Sequence, residues 1–378
     1  MESIPNGTSA LVEHNKIWQE IEKRRRESSP LNGGGGSLKE AISASISRGK
    51  LVSGSATGGS AVMKTFANPF WVEMGVLCRR GFLNMKRTPK LFLARLVTVL
   101  GTGIILATIF WQLDTSPRSA QERLGFFAFA MTVMFYTCSD ALPVFQEERN
   151  IFMRETAYNA YRRSSYVLSN ALISIPSFVI LSVGFACTTF FAVNLAGGAK
   201  GFGFYVVIIL ASFWSGISFI SFLSGIIHDR IVSFTVTTSF LSLHFLFCGF
   251  FIARNRIPEY WLWFHYLTLS KYPYEAALRN EFNDPTRCFQ QGVELFDNSP
   301  LGRFPTTMKL KLLKSMSDTL DQTLSNSTCF TTGVDILNRR GVNDLSKWNA
   351  VLVTVAWGFF FRILFYFTLV LGSKNKRK

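Results

Sequence analysis

Apolar residues in this chain come in long blocks separated by short polar stretches. Between Arg163 and Lys200 there are 36 residues without Asp, Glu, Lys or Arg; between Lys200 and Asp229 there are 28, and between Arg230 and Arg254 there are 23. A bilayer core takes about 20 mostly apolar helical residues to cross, so blocks of this length read as membrane spans rather than as helices of a soluble core. Six spans are predicted, at about 91–111, 124–145, 166–193, 202–227, 231–252 and 348–371. Pro176 is expected to kink the third. In the fourth, Ser212-x-x-x-Gly216 and Ser221-x-x-x-Gly225 place small residues where helices can approach closely in lipid. The fold class is therefore an all-α membrane protein, and a soluble enzyme is excluded.

Ahead of the spans, residues 1–65 read as a flexible linker, with the run Lys23-Arg24-Arg25-Arg26 and the tract Gly33 to Gly36. One short helix is expected there, from Leu11 to Arg26. The polar stretch Met1 to Arg26 has no apolar core of a secretory signal. At Asn68-Pro69 a helix is expected to begin, with Asn as its N-cap and Pro in its first turn. Phe70 to Arg87 carries Phe70, Met74, Leu77 and Gly81 at helical spacing and basic residues in its second half, the pattern of a helix in the lipid interface. Between the fifth and sixth spans lies a loop over 253–347. Its first part, Ile257 to Phe282, has an apolar stretch too short to cross and reads as a re-entrant or interfacial helical pair broken at Pro273. Trp261, Trp263, Tyr266, Tyr272 and Tyr274 are the amphipathic aromatics expected at headgroup depth.

Charge supplies an orientation. The net charge is +16, from 40 Lys and Arg against 24 Asp and Glu. Segments 1–90, 146–165, 228–230 and 374–378 hold 23 basic residues, and the opposing short loops 112–123 and 194–201 hold 3. Basic loops stay in the cytosol, so both termini are expected there and the long loop 253–347 outside.

Few residues carry chemistry. Gly49-Lys50 runs into Leu51 and Lys200 into Gly201, so neither makes a phosphate-cradling loop, and His14, His228, His244 and His265 are scattered without metal-ligand spacing. No metal site, cofactor or nucleic-acid partner is expected. Charge inside the spans is costly and usually pairs or reaches water. Arg95 is expected to snorkel to the headgroups, whereas Asp140 and Arg362 are expected to bond within the bundle, Asp140 through a salt bridge. Glu147, Glu148, Arg149, Phe152, Arg154 and Glu155 join spans two and three, either as a docking segment or as a solvated loop. Cys288 and Cys329 share the external loop, where a disulfide is expected. Asn326-Ser327-Thr328 is a glycosylation sequon in the same loop.

Several stretches together resemble the membrane half of plant G-subfamily (White–Brown complex) ABC half-transporters. They are Asn68-Pro69-Phe70-Trp71, Arg123-Leu124-Gly125-Phe126-Phe127, Glu147–Glu155 continuing to Tyr166, Ala211-Ser212-Phe213-Trp214-Ser215-Gly216, Lys271-Tyr272-Pro273-Tyr274-Glu275-Ala276 and Asn280-Glu281-Phe282. The resemblance covers about 66–378. It implies a plasma-membrane permease that works as a homodimer or as a heterodimer with another half-transporter, exporting hydrophobic compounds such as cutin or suberin precursors. It also implies an ATP-binding domain ahead of the linker, which this sequence lacks, so ATP and Mg would be bound by a domain supplied elsewhere. Glu147–Glu155 corresponds to the segment coupled to that motor. Phe129, Val133 and Tyr136 correspond to positions lining a central cavity, and Phe250 and Phe251 to a hydrophobic plug above it. The alternative is a non-transporting partner that pairs with intact half-transporters and regulates them. A passive channel ranks last, because no ring-forming charge pattern lines a span.

Overall fold

The computed structural model describes Glu20 and residues 68–157, 160–296, 300–320 and 328–372. The chain divides into a unit over Met1–Lys64 and one over Thr65–Lys378, and the second is described here. The linker and its short helix lie outside the described residues apart from Glu20.

Helix α1 (Phe70–Arg87) precedes α2 (Lys90–Ile109), α3 (Pro117–Cys138), α4 (Leu142–Ala157), α5 (Arg163–Val193), α6 (Gly198–Ile226) and α7 (Arg230–Leu246). Two shorter helices, α8 (Glu259–Leu267) and α9 (Lys271–Phe282), lead into a small region of β1 (Cys288–Gln291), α10 (Thr306–Leu320), β2 (Cys329–Thr332) and α11 (Gly333–Arg340). The last helix is α12 (Lys347–Gly372). Strands β1 and β2 pair antiparallel, with Cys288 opposite Thr332 and Gln291 opposite Cys329.

Helix α6 occupies the centre, packed on α3, α5, α9 and α12. Gly216 sits against Cys138 and Phe135 of α3, and Gly225 against Thr368 and Phe365 of α12, so a β-carbon at either position would strike a neighbouring helix. The small-residue pairs of the fourth span are thus packing surfaces. Pro176 lies inside the unbroken 31-residue α5.

Local chemistry sets several helix starts. Ser116 caps α3 by accepting from the Ser119 N–H at 3.2 Å, with Pro117 in the first turn. Asp229 caps α7 by accepting from the Val232 N–H at 2.9 Å. At α1 the N-cap is Pro69, one residue later than expected, with no side-chain cap. This helix buries Glu73 and Leu77 against the bundle and turns Trp71, Val76 and Leu83 outward. An apolar outer face and a polar anchored one suit the lipid interface.

Three expectations are corrected. The second span continues past a single 3-10 turn at Ser139–Ala141 into α4, so the segment from Glu147 to Glu155 is helical rather than a loop. Pro143 sits in the first turn of α4, where its missing N–H costs nothing. The fifth span is shorter than the 231–252 expected, because α7 ends at Leu246 and Gly249, at φ +100°, turns the chain. Its 17 residues reach about 26 Å, so among the described residues five helices, not six, are long and apolar enough to cross a membrane. The α7 segment still connects the two ends of the bundle: Arg230 pairs with Glu147 at 3.1 Å, while the Phe250 carbonyl accepts from Arg340 of α11 at 3.0 Å. Finally, the break in the helical pair falls at Thr268–Ser270, and Pro273 lies in the first turn of α9.

Candidate functional site

Helix α3 is buried on nearly every side except along one stripe. Phe126, Phe127, Met131, Met134 and Phe135 are buried, whereas Phe129 is 50% exposed and Val133 and Tyr136 are partly open. These three stand at i, i+4 and i+7, one face of a helix. Beside them runs α7, fastened to the bundle by the single buried row Ser233, Thr237, Leu241 and His244. The Tyr136 and Ser242 hydroxyls share a hydrogen bond of 2.7 Å that ties the stripe to α7. On α7 an open, apolar hollow of about 540 Å³ is lined by Ser239, Ser242, Leu243, Phe245, Leu246 and Phe251. Phe251 stacks edge-on against Phe245 and Phe250, each at 5.0 Å. Phe250 packs over Gly125 of α3, where a β-carbon would lie 3.8 Å from its ring. All five residues of the expected cavity and plug therefore belong to the α3 and α7 segments of one face. Phe251 lines the hollow itself, whereas Phe129 and Val133 lie on the stripe outside its lining. The Ser239 and Ser242 hydroxyls donate to carbonyls of their own helix, so the face offers apolar and aromatic surface without charge.

At the opposite side of α3, the α4 residues are mostly engaged within the chain. Phe152 is buried in a second apolar cluster with Leu77, Tyr161, Val167, Phe365 and Leu369. Glu155 pairs with Arg80 of α1 at 2.8 Å and accepts from the Tyr161 hydroxyl at 2.6 Å. Glu148 accepts from the Tyr166 hydroxyl at 3.4 Å, and Arg149 bonds the His228 ring at 2.7 Å. Arg154 is exposed. A further anchor has no counterpart among the sequence expectations: buried Glu73 of α1 accepts from the Arg162 N–H and the Ser165 hydroxyl, both at 3.0 Å, at the start of α5. A carboxylate there suits the positive end of the helix. Helices α1, α4 and α5 are thereby joined by ion pairs and apolar contact, an arrangement able to transmit movement of α4 into the bundle.

Arg362 bonds inside the bundle, as expected. Its Nε donates to Ser218 Oγ at 3.1 Å, its Nη1 to Asn170 Oδ1 at 2.9 Å, and it lies 5.6 Å from the Trp214 ring centre. Asp140 is exposed and, among the described residues, makes no ion pair within 4.0 Å; Arg95 is the cation that acts on it. Arg95 turns inward with Nε and Nη2 buried. The strongest buried pair was not foreseen. Arg123 and Glu281, 0% and 1% exposed, meet at 2.6 Å, and Arg287 adds a second bond to Glu281 at 2.8 Å. Arg123 also donates to the carbonyls of Leu113, Asp114 and Asn194, and Glu281 accepts from the Ala196 N–H at 2.7 Å. The partners stand 158 positions apart in the sequence, with nothing there that pairs them.

In the loop region between α7 and α12, Cys288 and Cys329 form the expected disulfide, with Cα atoms 5.8 Å apart, joining β1 to β2. Asn326 lies outside the described residues. The expected interfacial aromatics divide: Trp261 and Trp263 are exposed, while Tyr272 and Tyr274 are buried. Lys271 is buried over the Tyr266 ring at 4.0 Å and pairs with Glu275 at 3.7 Å. Burial pushes the Glu275 carboxyl up to about 7 against the opposing pull of Lys271. Burial likewise pushes the His265 imidazole down to about 4, although its bond to the Phe247 carbonyl acts the other way. No group of three or more potential metal ligands occurs among the described residues.

Residues 72–282 match the family model described as ABC-2 type transporter. The chain is 58% identical over 392 aligned residues to ABC transporter G family member 1 of Arabidopsis thaliana, covering all of this chain and 53% of that protein. It is 59% identical over 378 residues to member 20 of the same plant, covering 51% of it. Member 5 of Oryza sativa subsp. japonica is 56% identical over 393 aligned residues, with 50% of its length covered. The chain spans about half the length of the curated relatives it matches.

Proposed function

Because this chain belongs to the ABC-2 type transporter family, with close relatives in the plant G family, we propose that it is the permease half of an ATP-driven exporter of hydrophobic, lipidic compounds. One observation carries this reading: the uncharged, aromatic stripe of Phe129, Val133 and Tyr136 left open on an otherwise buried α3, with the hollow on α7 beside it. A second half-transporter, either another copy or a G-type relative, would close that face into a shared cavity. Phe250 and Phe251 would then cap it from above. Apolar lining with a few hydroxyls suits acyl cargo, whose affinity comes from buried area rather than polar recognition.

The motor is to be supplied by ATP-binding domains outside this sequence, docking near α4, where Arg154 is exposed and Glu155, Phe152 and Arg80 connect the helix to α1. The basic excess at that end supports cytosolic termini, and a plasma-membrane setting follows the family reading.

The test is to express the chain with a G-type half-transporter carrying its own ATPase domain, then follow export of a fluorescent acyl lipid from sealed vesicles. ATP-dependent export that requires both chains, and that falls at least tenfold when Phe129 and Val133 are both changed to Asp, supports the reading. Pairing of the two chains with export suppressed rather than restored would instead make this chain a regulator of its partner. Export indifferent to the paired substitution would overturn the cavity assignment.

A further inference from the structure

We propose that the cavity enclosed by α1, α2, α4 and α5 is a binding site for the phosphate of a membrane phospholipid, anchored by Arg95. The cavity holds about 470 Å³, within the ~300–1,000 Å³ range of small-molecule sites. It lies apart from the α3 and α7 face. Arg95 lines it with Nε and Nη2 both buried and without a hydrogen bond, and no other arginine among the described residues leaves two guanidinium nitrogens in that state. Buried guanidinium nitrogens without a partner are costly, and the Nε and Nη2 edge of the planar fork matches a phosphate in two parallel bonds. Asp140 acts on Arg95 electrostatically but forms no ion pair with it.

The other charges at the rim narrow the choice of ligand. Arg80 is taken by Glu155 and Glu147 by Arg230. Among the described residues Lys90, Arg95 and Glu148 make no ion pair, a small net positive charge that admits a phosphodiester. The walls below are apolar, with Phe92 and Ile173 among them. Next to the cavity, α1 presents Trp71, Val76 and Leu83 outward at the lipid interface. A phosphate on Arg95 would thus sit at headgroup depth with its acyl chains leaving along the walls, which a free anion could not exploit.

The experiment uses the purified full chain in mild detergent. Dioctanoyl phosphatidylglycerol is titrated while thermal midpoint and phosphorus bound per protein are recorded, with dioctanoylglycerol and inorganic phosphate as parallel probes. Two variants are compared: Arg95→Gln, which removes the anchor, and Ser174→Phe, which fills the cavity and leaves every charge in place. The lipid is expected to raise the midpoint and bind near one per chain, at concentrations where the two probes do nothing. Either variant that folds is expected to weaken binding at least tenfold. Binding of parental strength in either folded variant overturns the proposal. So does protection by dioctanoylglycerol or inorganic phosphate equal to that by the lipid.

Discussion

Replacing Arg123 tests whether its buried network holds the loop end of the bundle together. The side chain is fully buried and donates to three carbonyls, Leu113 at 2.7 Å, Asp114 at 3.2 Å and Asn194 at 3.1 Å, besides pairing with Glu281 at 2.6 Å. Breaking a buried pair by removing one partner costs about 3–5 kcal/mol, and each acceptor orphaned in the interior adds roughly 1–3 kcal/mol where water cannot replace the donor. Arg123→Met therefore belongs at about 5 kcal/mol or more. Glu281→Gln should cost about 3 kcal/mol, because its amide oxygen can still accept from the Ala196 N–H. At roughly 2 °C per kcal/mol for a large domain, the apparent midpoint in detergent should fall by about 10 °C and 6 °C respectively, at a fixed scan rate. Arg123→Lys should not rescue, since one ammonium cannot reach three carbonyls and a carboxylate in different directions. The double variant Arg123→Met with Glu281→Met should cost less than the sum of its singles by about 2 kcal/mol, the signature of a coupled pair. A lysine variant as stable as the parent, or strict additivity in the double variant, would mean that the Arg123 network does not hold this end of the bundle.

Three further outcomes are expected. Removing the Cys288–Cys329 bridge, which closes a separation of 41 residues, should destabilise the loop region by about 4 kcal/mol on a chain-entropy model, measured as faster protease cleavage within 288–332 while the helices stay folded. Gly225→Leu drives a side chain into Thr368 and Phe365 of α12 and should cost about 3 kcal/mol through overpacking, whereas Gly75→Leu, with open space at its β-carbon, should leave the thermal midpoint unchanged. The buried Glu275 carboxyl and His265 imidazole titrate with opposite signs. A raised carboxyl pKa gives stability that is lost as pH climbs from 4.5 towards 7, while a lowered imidazole pKa gives stability that is lost as pH falls from 6.5 towards 4. His265→Asn, which unmasks Glu275, should make the protein more stable at pH 5 than at pH 7 by about 2 kcal/mol, and Glu275→Gln should reverse that order; parallel pH profiles in the two variants would contradict the assignment.

Hydropathy along the chain is enough to give the membrane class, because an uncharged block of some 20 or more residues has one inexpensive solution in lipid, a helix with every backbone group bonded internally. The helix α1, the small-residue contact faces of α6 and the Cys288–Cys329 pair are legible too, since each depends on residues near in sequence or on a cysteine count within one loop. The sequence pattern overran at the fifth span: Phe247, Cys248, Phe250 and Phe251 continue the apolar pattern of α7, and only the left-handed backbone at Gly249, with Phe250 seated on Gly125 of α3, ends the helix at Leu246. It also read Glu147–Glu155 as exposed charge, whereas Arg80, Tyr161, Tyr166 and His228 draw most of it inward. Packing of distant segments sets the rest: Arg123 meets Glu281, Glu73 holds the start of α5, and Arg95 lines a closed-in cavity with two guanidinium nitrogens buried instead of extending outward. Hydropathy records how costly a charge is in lipid, but the partner that offsets the cost lies tens to hundreds of residues away and is chosen by how the helices pack.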